Sequence, residues 1–198
     1  MIHRLVCGIF LVVGALFISC CSQSSENGTG AVPLPKAWPR IALTTSDTMV
    51  SVPGTPVSVQ INPAASWLME ETDPPGLTVT YPGAGMRIYY TFIIPENQLS
   101  RERILDLRRQ RISLNLNGLS AKTIHGNSAS GGEAVVVVAE SGAQTPVQLL
   151  ASLPECIVSA TAFIENPSAS LNYDSIYPLI KIVEHDLLKT LPGLNWER

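Results

Sequence analysis

Three residues stand in the chain order that one class of hydrolase uses: Ser128, then Asp174, then His185. In such a triad a histidine takes the serine proton and a carboxylate orients the imidazole. The surroundings argue against that chemistry here. Gly126-Asn127-Ser128-Ala129-Ser130 lacks the last glycine of a G-x-S-x-G elbow and leads into a run of valines rather than a helix. On a helix turning about 100° per residue, His185 falls about 180° from Ile176, which predicts a solvent-facing ring beside Lys181 and Lys189. Glu184-His185-Asp186 is no better as a metal site, because helix neighbours diverge by about 100° and do not converge on one ion. The Gly126–Gly132 stretch has no Lys-Ser/Thr and no helix after it, so phosphate cradling is not expected. His125 is assigned a plain polar role. The expectation is therefore no catalytic residue, no metal and no cofactor, in a protein that is not an enzyme.

Arginine offers a different chemistry. Arg101, Arg103, Arg108, Arg109 and Arg111, against Glu102 and Asp106, make the only strongly basic segment. Such a run could meet an acidic partner or anionic head groups, although a solvated helix face is the plainer reading. Arg101, Arg108 and Arg109 are the candidate interaction residues on it. Asn127, Ser128, Asp174 and Ser175 are candidates elsewhere, with Asn127, Ser128 and Tyr173 as the group nearest to a small-ligand site. The chain as a whole carries a formal charge of −3, which argues against a nucleic-acid partner.

The remaining reactive type is cysteine. His3 and Arg4 open the chain, Leu5 to Ile18 form 14 uncharged, mostly apolar residues, and Ser19 precedes Cys20. As a helix that stretch reaches roughly 21 Å, too short for a bilayer core of about 30 Å. Charge, apolar core and small residue in that order read as a secretory leader. Phe17-Ile18-Ser19-Cys20 resembles the bacterial lipobox, in which the cysteine is acylated and becomes the first residue of the mature chain. Leu is commoner than Phe at the first of these positions. Cys21 competes, but would leave Cys20 immediately before the cut, where Ser, Gly or Ala is usual. The reading is Cys20. With Cys7 removed and Cys20 acylated, only Cys21 and Cys156 remain as thiols, so a disulfide framework is not expected. Loss of Arg4 with the leader leaves 12 basic against 16 acidic residues, a charge of −4.

These features divide the chain into a leader (1–19), a tether (20–32) and one domain (33–198). Within the tether, Ser22 to Gly30 is mostly Ser, Gly, Asn and Gln with one charge, Glu26, and is expected to stay flexible. Its single glutamate is thin support for surface export, so an outer-membrane anchor facing the periplasm is expected. The membrane, through the lipid, is the first partner.

The elements that must position the candidates follow from pattern. Prolines are dense from Pro33 to Pro82, which excludes long helices and leaves short strands at Arg40 to Leu43, Val57 to Ile61 and Leu77 to Tyr81. Met86 to Ile94 is β-branched and aromatic and stops at Pro95. A helix is expected over 97–117, capped at Ser100, with an irregular apolar side of Ile104, Leu105, Leu107 and Ile112. Ala134 to Ala139 has no polar alternation and reads as a central strand buried on both faces. Val147 to Leu153 and Cys156 to Ile164 form a hairpin around Leu153-Pro154-Glu155. Val158, Ala160, Ala162 and Ile164 face the core, with Cys156 on their side. Asp174 or Ser175 caps a last helix whose stripe is Ile176, Leu179, Ile180, Val183 and Leu187, ended by Pro192-Gly193. The fold class is α+β. The sheet is mainly antiparallel, one long helix is inserted between two β sections, and a C-terminal amphipathic helix packs on one face. The element order is similar to the Mog1/PsbP-like arrangement.

"TIHGNSAS" (123–130), "AFIENP" (162–167) and "NYDSIYPLIKIVEHDLLKTL" (172–191) with Trp196 together resemble the gliding-motility lipoproteins of the GldD type. "PLPKAWPRIAL" (33–43) and "YPGAGMRIYYTF" (81–92) add to the resemblance. The chain departs from that family in having no cysteine between Cys21 and Cys156 and a blander strand at Val158 to Phe163. The resemblance implies a Bacteroidota-type envelope lipoprotein in a complex linked to gliding or its associated secretion, without enzymatic activity. A periplasmic module for a small ligand is the alternative, and a serine hydrolase the third.

Overall fold

The structure is a computed structural model that describes residues 48–82, 84–140, 143–165 and 173–197, with Tyr173, Asp174 and Ser175 placed by backbone only. The elements, in chain order, are β1 (Thr48–Ser51), β2 (Ser58–Ile61), β3 (Ser66–Glu70), β4 (Gly76–Tyr81), β5 (Met86–Ile93), α1 (Gln98–Leu116), β6 (Ala121–Ser128), β7 (Glu133–Ala139), β8 (Val147–Ser152), β9 (Ile157–Ile164), α2 (Tyr173–Lys189) and β10 (Leu194–Trp196). β1 and β2 pair as a small hairpin, and the other eight strands form one open sheet in the order β10-β6-β7-β8-β9-β5-β4-β3. Every pairing in it is antiparallel. The fold is α+β, with α1 between the β5 and β6 sections and α2 near the C-terminal end.

Alternation decides which residues face the core. β5 buries Met86, Ile88, Tyr90 and Phe92, and β9 buries Val158, Ala160, Ala162 and Ile164. Cross-strand pairing places these rows side by side on one face, where each matched pair adds to sheet stability. The apolar stripe of α2 closes over that face: Ile176, Leu179, Ile180, Val183 and Leu187 are all buried. Five such side chains removed from water contribute about 1.5–3 kcal/mol each. The β1–β2 hairpin adds Val50, Val59 and Ile61 to the same core. The end of α2 is tied down by polar contacts: Gln60 N donates to Thr190 O at 2.8 Å, and the Tyr90 and Thr190 hydroxyls pair at 3.1 Å. α2 starts at Tyr173, so Asp174 and Ser175 lie in its first turn rather than ahead of it. Cys156 is a free, buried thiol on the core side, and burial raises its pKa above the ordinary thiol value.

The opposite face of the sheet is covered differently. α1 lies against β8 and β9. Its N-cap is Asn97, whose Oδ1 accepts from Ser100 N at 2.9 Å while Asn97 N donates to Ser100 Oγ at 3.2 Å. Ser100 is thus the third residue of a capping box and not the cap expected of it. The far end closes through Asn117 at φ 49° and Gly118 at φ 79°, left-handed positions that asparagine and glycine adopt most readily.

Four strands lie outside the sequence expectations: β1, β3, β6 and β10. β6 reads Ala-Lys-Thr-Ile-His-Gly-Asn-Ser, and its turn-favouring end, Gly126 to Ser128, is made into a strand by a ladder with β7 that runs from Ala121↔Ala139 to Asn127↔Glu133. Gly126 to Ser128 therefore belong to a strand, and the tight turn begins only at Ser128. The Arg40 to Leu43 strand, the leader, the tether and Cys20 lie outside the described residues.

Candidate functional site

Because α1 lies over β8 and β9, the β6–β7 end of its face stays open. A cleft of about 580 Å³ forms there, within the size range of ligand sites. Its floor is two cross-strand rows. His125, Val135 and Leu150 make the first, and Asn127, Glu133 and Ser152 the second. Leu105 and Arg109 of α1 form one wall, and Glu197 lies at the other side. Val135, in the strand expected to be buried on both faces, is half-buried here because it floors this cleft. Asn127 Nδ2 donates to Glu197 Oε1 at 3.3 Å, which holds that carboxylate against the second row. Arg109 Nη1 donates to Asp106 Oδ1 at 2.9 Å. One of its five N–H donors is engaged in this bond.

The candidate residues thus separate. Arg109 and Asn127 meet at one cleft. Arg101 does not join them: its guanidinium donates to Ser152 Oγ at 3.0 Å, Leu153 O at 2.7 Å and Pro154 O at 2.6 Å. Those bonds staple the first turn of α1 to the β8–β9 hairpin. Arg108 turns toward the sheet beside Gln148, Ser159 and Thr161. Desolvation lowers its pKa, and neighbouring Arg111 lowers it further. Ser128 closes a local turn, its Oγ paired with Ser130 Oγ at 2.5 Å and accepting from Ser130 N at 3.1 Å. Asp174 and Ser175 lie in α2.

The hydrolase trio is not assembled among the described groups. Ser128 bonds Ser130, whereas His185 Nδ1 lies 3.3 Å from Asp186 Oδ1. His185 is half-buried rather than fully at solvent, because it lines a second cleft of about 560 Å³ between the start of β6 and α2. In that cleft the buried Glu184 carboxylate meets Lys181 Nζ at 2.7 Å and Lys122 Nζ at 3.8 Å, beside Leu188 and Trp196. The hydrogen bond that Lys181 donates to Glu184 raises the Lys181 pKa above its ordinary value. Among the described residues no three His, Cys, Asp or Glu side chains gather as metal ligands.

Sequence reasoning did not reach Glu133, His125, Ser152 or Glu197 as neighbours of Arg109. Only the register that sets Asn127 opposite Glu133, and Glu133 opposite Ser152, brings them together.

The outer side of α1 exposes a row of leucines. Leu99, Leu107 and Leu114 are 77%, 56% and 78% exposed. At about 100° per residue they fall within about 80° of one another, with Arg103 and Gln110 between them. Ile104, Leu105, Ile112 and Leu116 are half-buried on the opposite, sheet-facing side, and no residue of α1 is fully buried. Two opposed apolar stripes explain the irregular pattern in the sequence, since they cancel in any helical average.

No protein-family model matches this chain, and no curated protein matches it.

Proposed function

We propose that the protein is a lipid-anchored component of the bacterial cell envelope. In this reading it is held in the outer membrane through Cys20, faces the periplasm, and serves a protein complex without performing catalysis. The observation that carries the docking role is the outward leucine stripe of α1, set in a segment with five arginines against two acids. Exposed leucines recurring along a helix are costly to leave in water, and the surrounding charge favours an acidic partner surface with an apolar centre. The leader and Cys20 support the anchor, and the resemblance to gliding-motility lipoproteins supports a role beside gliding or secretion machinery.

Two measurements test this. Mass spectrometry of the native protein is expected to find a chain beginning at an acylated Cys20; a retained Met1 or a free thiol at position 20 would overturn the anchor. Affinity purification from the host is expected to recover the same envelope proteins repeatedly with the wild-type chain. Recovery should fall at least roughly tenfold with Leu107→Glu/Leu114→Glu, since central apolar anchors carry most of an interface's energy. Equal recovery by both chains would remove α1 from the docking role.

A second reading is favoured by the cleft itself: a periplasmic module for a small ligand, built around Arg109 and Asn127. A small ligand that saturably raises the melting temperature would support it, because binding to the native state alone adds stability by mass action.

A further inference from the structure

The cleft between α1 and the β6–β7 end of the sheet sorts its chemistry by position. The α1 wall contributes a cation, Arg109, together with the apolar Leu105. On the floor, Val135 and Leu150 present an apolar row, flanked by the His125 ring. The second row and the far side contribute two carboxylates, Glu133 and Glu197, with the Asn127 amide bonded to Glu197. A ligand that satisfies all three zones carries one anionic group, one cationic group and an apolar side chain between them. A simple anion would leave Glu133 and Glu197 unfavourably placed, and a simple cation would do the same for Arg109.

We infer that this cleft binds a small zwitterion of the amino-acid or dipeptide class. The ligand carboxylate pairs with Arg109, the ammonium group with Glu133 and Glu197, and the side chain packs on Val135 and Leu150. Arginine suits the first role because its planar fork can grip a carboxylate through two parallel N–H donors. Asn127 matters as a positioning residue, since its bond to Glu197 keeps that carboxylate at the site. The inference rests on the ligand-binding reading above and gives that reading its ligand class.

Calorimetric titration of the full-length protein in detergent with the dipeptide Leu-Leu tests it. N-acetyl-Leu-Leu, Leu-Leu amide and the doubly capped peptide serve as comparisons. Leu-Leu is expected to bind, and blocking either end is expected to weaken binding roughly tenfold, the loss of one charge-assisted contact. Arg109→Gln and Glu133→Gln should each reproduce the effect of capping the matching end. Both residues lie at the surface, and circular dichroism checks that the variants fold. Nuclear magnetic resonance is expected to show the largest shifts at the Val135 and Leu150 methyls. Shifts at the Trp196 indole instead would place the site in the other cleft and overturn the assignment. Equal affinity for the doubly capped peptide would leave a ligand site standing but sink the zwitterion. Absence of binding by every one of these peptides at millimolar concentration would overturn both.

Discussion

Gly126 is occupied by glycine because the Trp196 ring lies where a side chain would begin. A Cβ placed there would stand 2.6 Å from Cε3 of that ring and 2.9 Å from Cδ2 and Cζ3. The ring is not free to retreat: Trp196 Nε1 donates to Leu188 O at 2.6 Å, which clips β10 and α2 together over the sheet. Overpacking of this kind costs typically 1–3 kcal/mol. Gly126→Ala is therefore expected to lower unfolding free energy by about that amount in urea titrations. Trp196→Leu should itself destabilise the fold but make the added methyl nearly neutral, so the double variant should lose less than the sum. An additive pair would show that the ring does not set the cost. Gln148 illustrates the opposite situation. It is buried, its Oε1 accepts from Asn115 Nδ2 at 2.7 Å, and its own Nε2 has no partner among the described residues. A buried donor left unmade costs about 1–3 kcal/mol, so this contact under α1 stabilises the helix weakly.

Among the elements, α1 and α2 differ in how they are held. α2 buries a full stripe, whereas α1 buries no residue completely and relies on its capping box, the Arg101 staple and the Asn115–Gln148 bond. Local opening free energy follows buried apolar contact. Hydrogen exchange is accordingly expected to find α1 amides exchanging at least roughly a hundredfold faster than those of β8 and β9, with α2 close to the strands. Asn97→Ala should raise α1 exchange further, by the roughly 1 kcal/mol of a lost cap, while leaving β8 unchanged. Protection of α1 equal to that of the sheet would contradict this account. A weakly held helix with a second apolar stripe turned outward is also consistent with the docking role proposed for it, since a partner could cover that stripe without unpacking the core.

At the scale of the molecule, stability depends on pH through the buried centre. Tyr90 lies in the core with its hydroxyl on Thr190, and burial, the largest cause, raises its pKa well above the ordinary phenol value. The neutral form is thus favoured by folding. Below the unfolded value of about 10 this contribution is fully present. It is lost as pH rises from there toward the folded value, at up to about 1.4 kcal/mol per pH unit. Urea titrations between about pH 9 and 12 are expected to show this decline in the wild type and a shallower one in Tyr90→Phe. The variant should start about 1 kcal/mol lower, for the lost hydrogen bond. Parallel curves would remove Tyr90 from the alkaline limb.

Much of this arrangement is written locally in the chain. The alternation in β5 and β9, the valine run of β7, the turn at Leu153-Pro154-Glu155 and the stripe of α2 each follow from period and from turn residues. Those signals are one-dimensional, and they suffice for an α+β fold. β6 could not be read that way, because His125-Gly126-Asn127-Ser128 become a strand only by pairing with β7 on one side and β10 on the other. The cleft follows the same logic. Arg109 and Asn127 were visible as polar residues, but their meeting with Glu133 depends on strand register, and the open shelf depends on α1 crossing β8 and β9 rather than β6 and β7. Sequence alone determined which residues prefer water and which prefer the core. Which polar groups face one another was decided by tertiary packing, since a register shift of one residue would turn each of them to the opposite face.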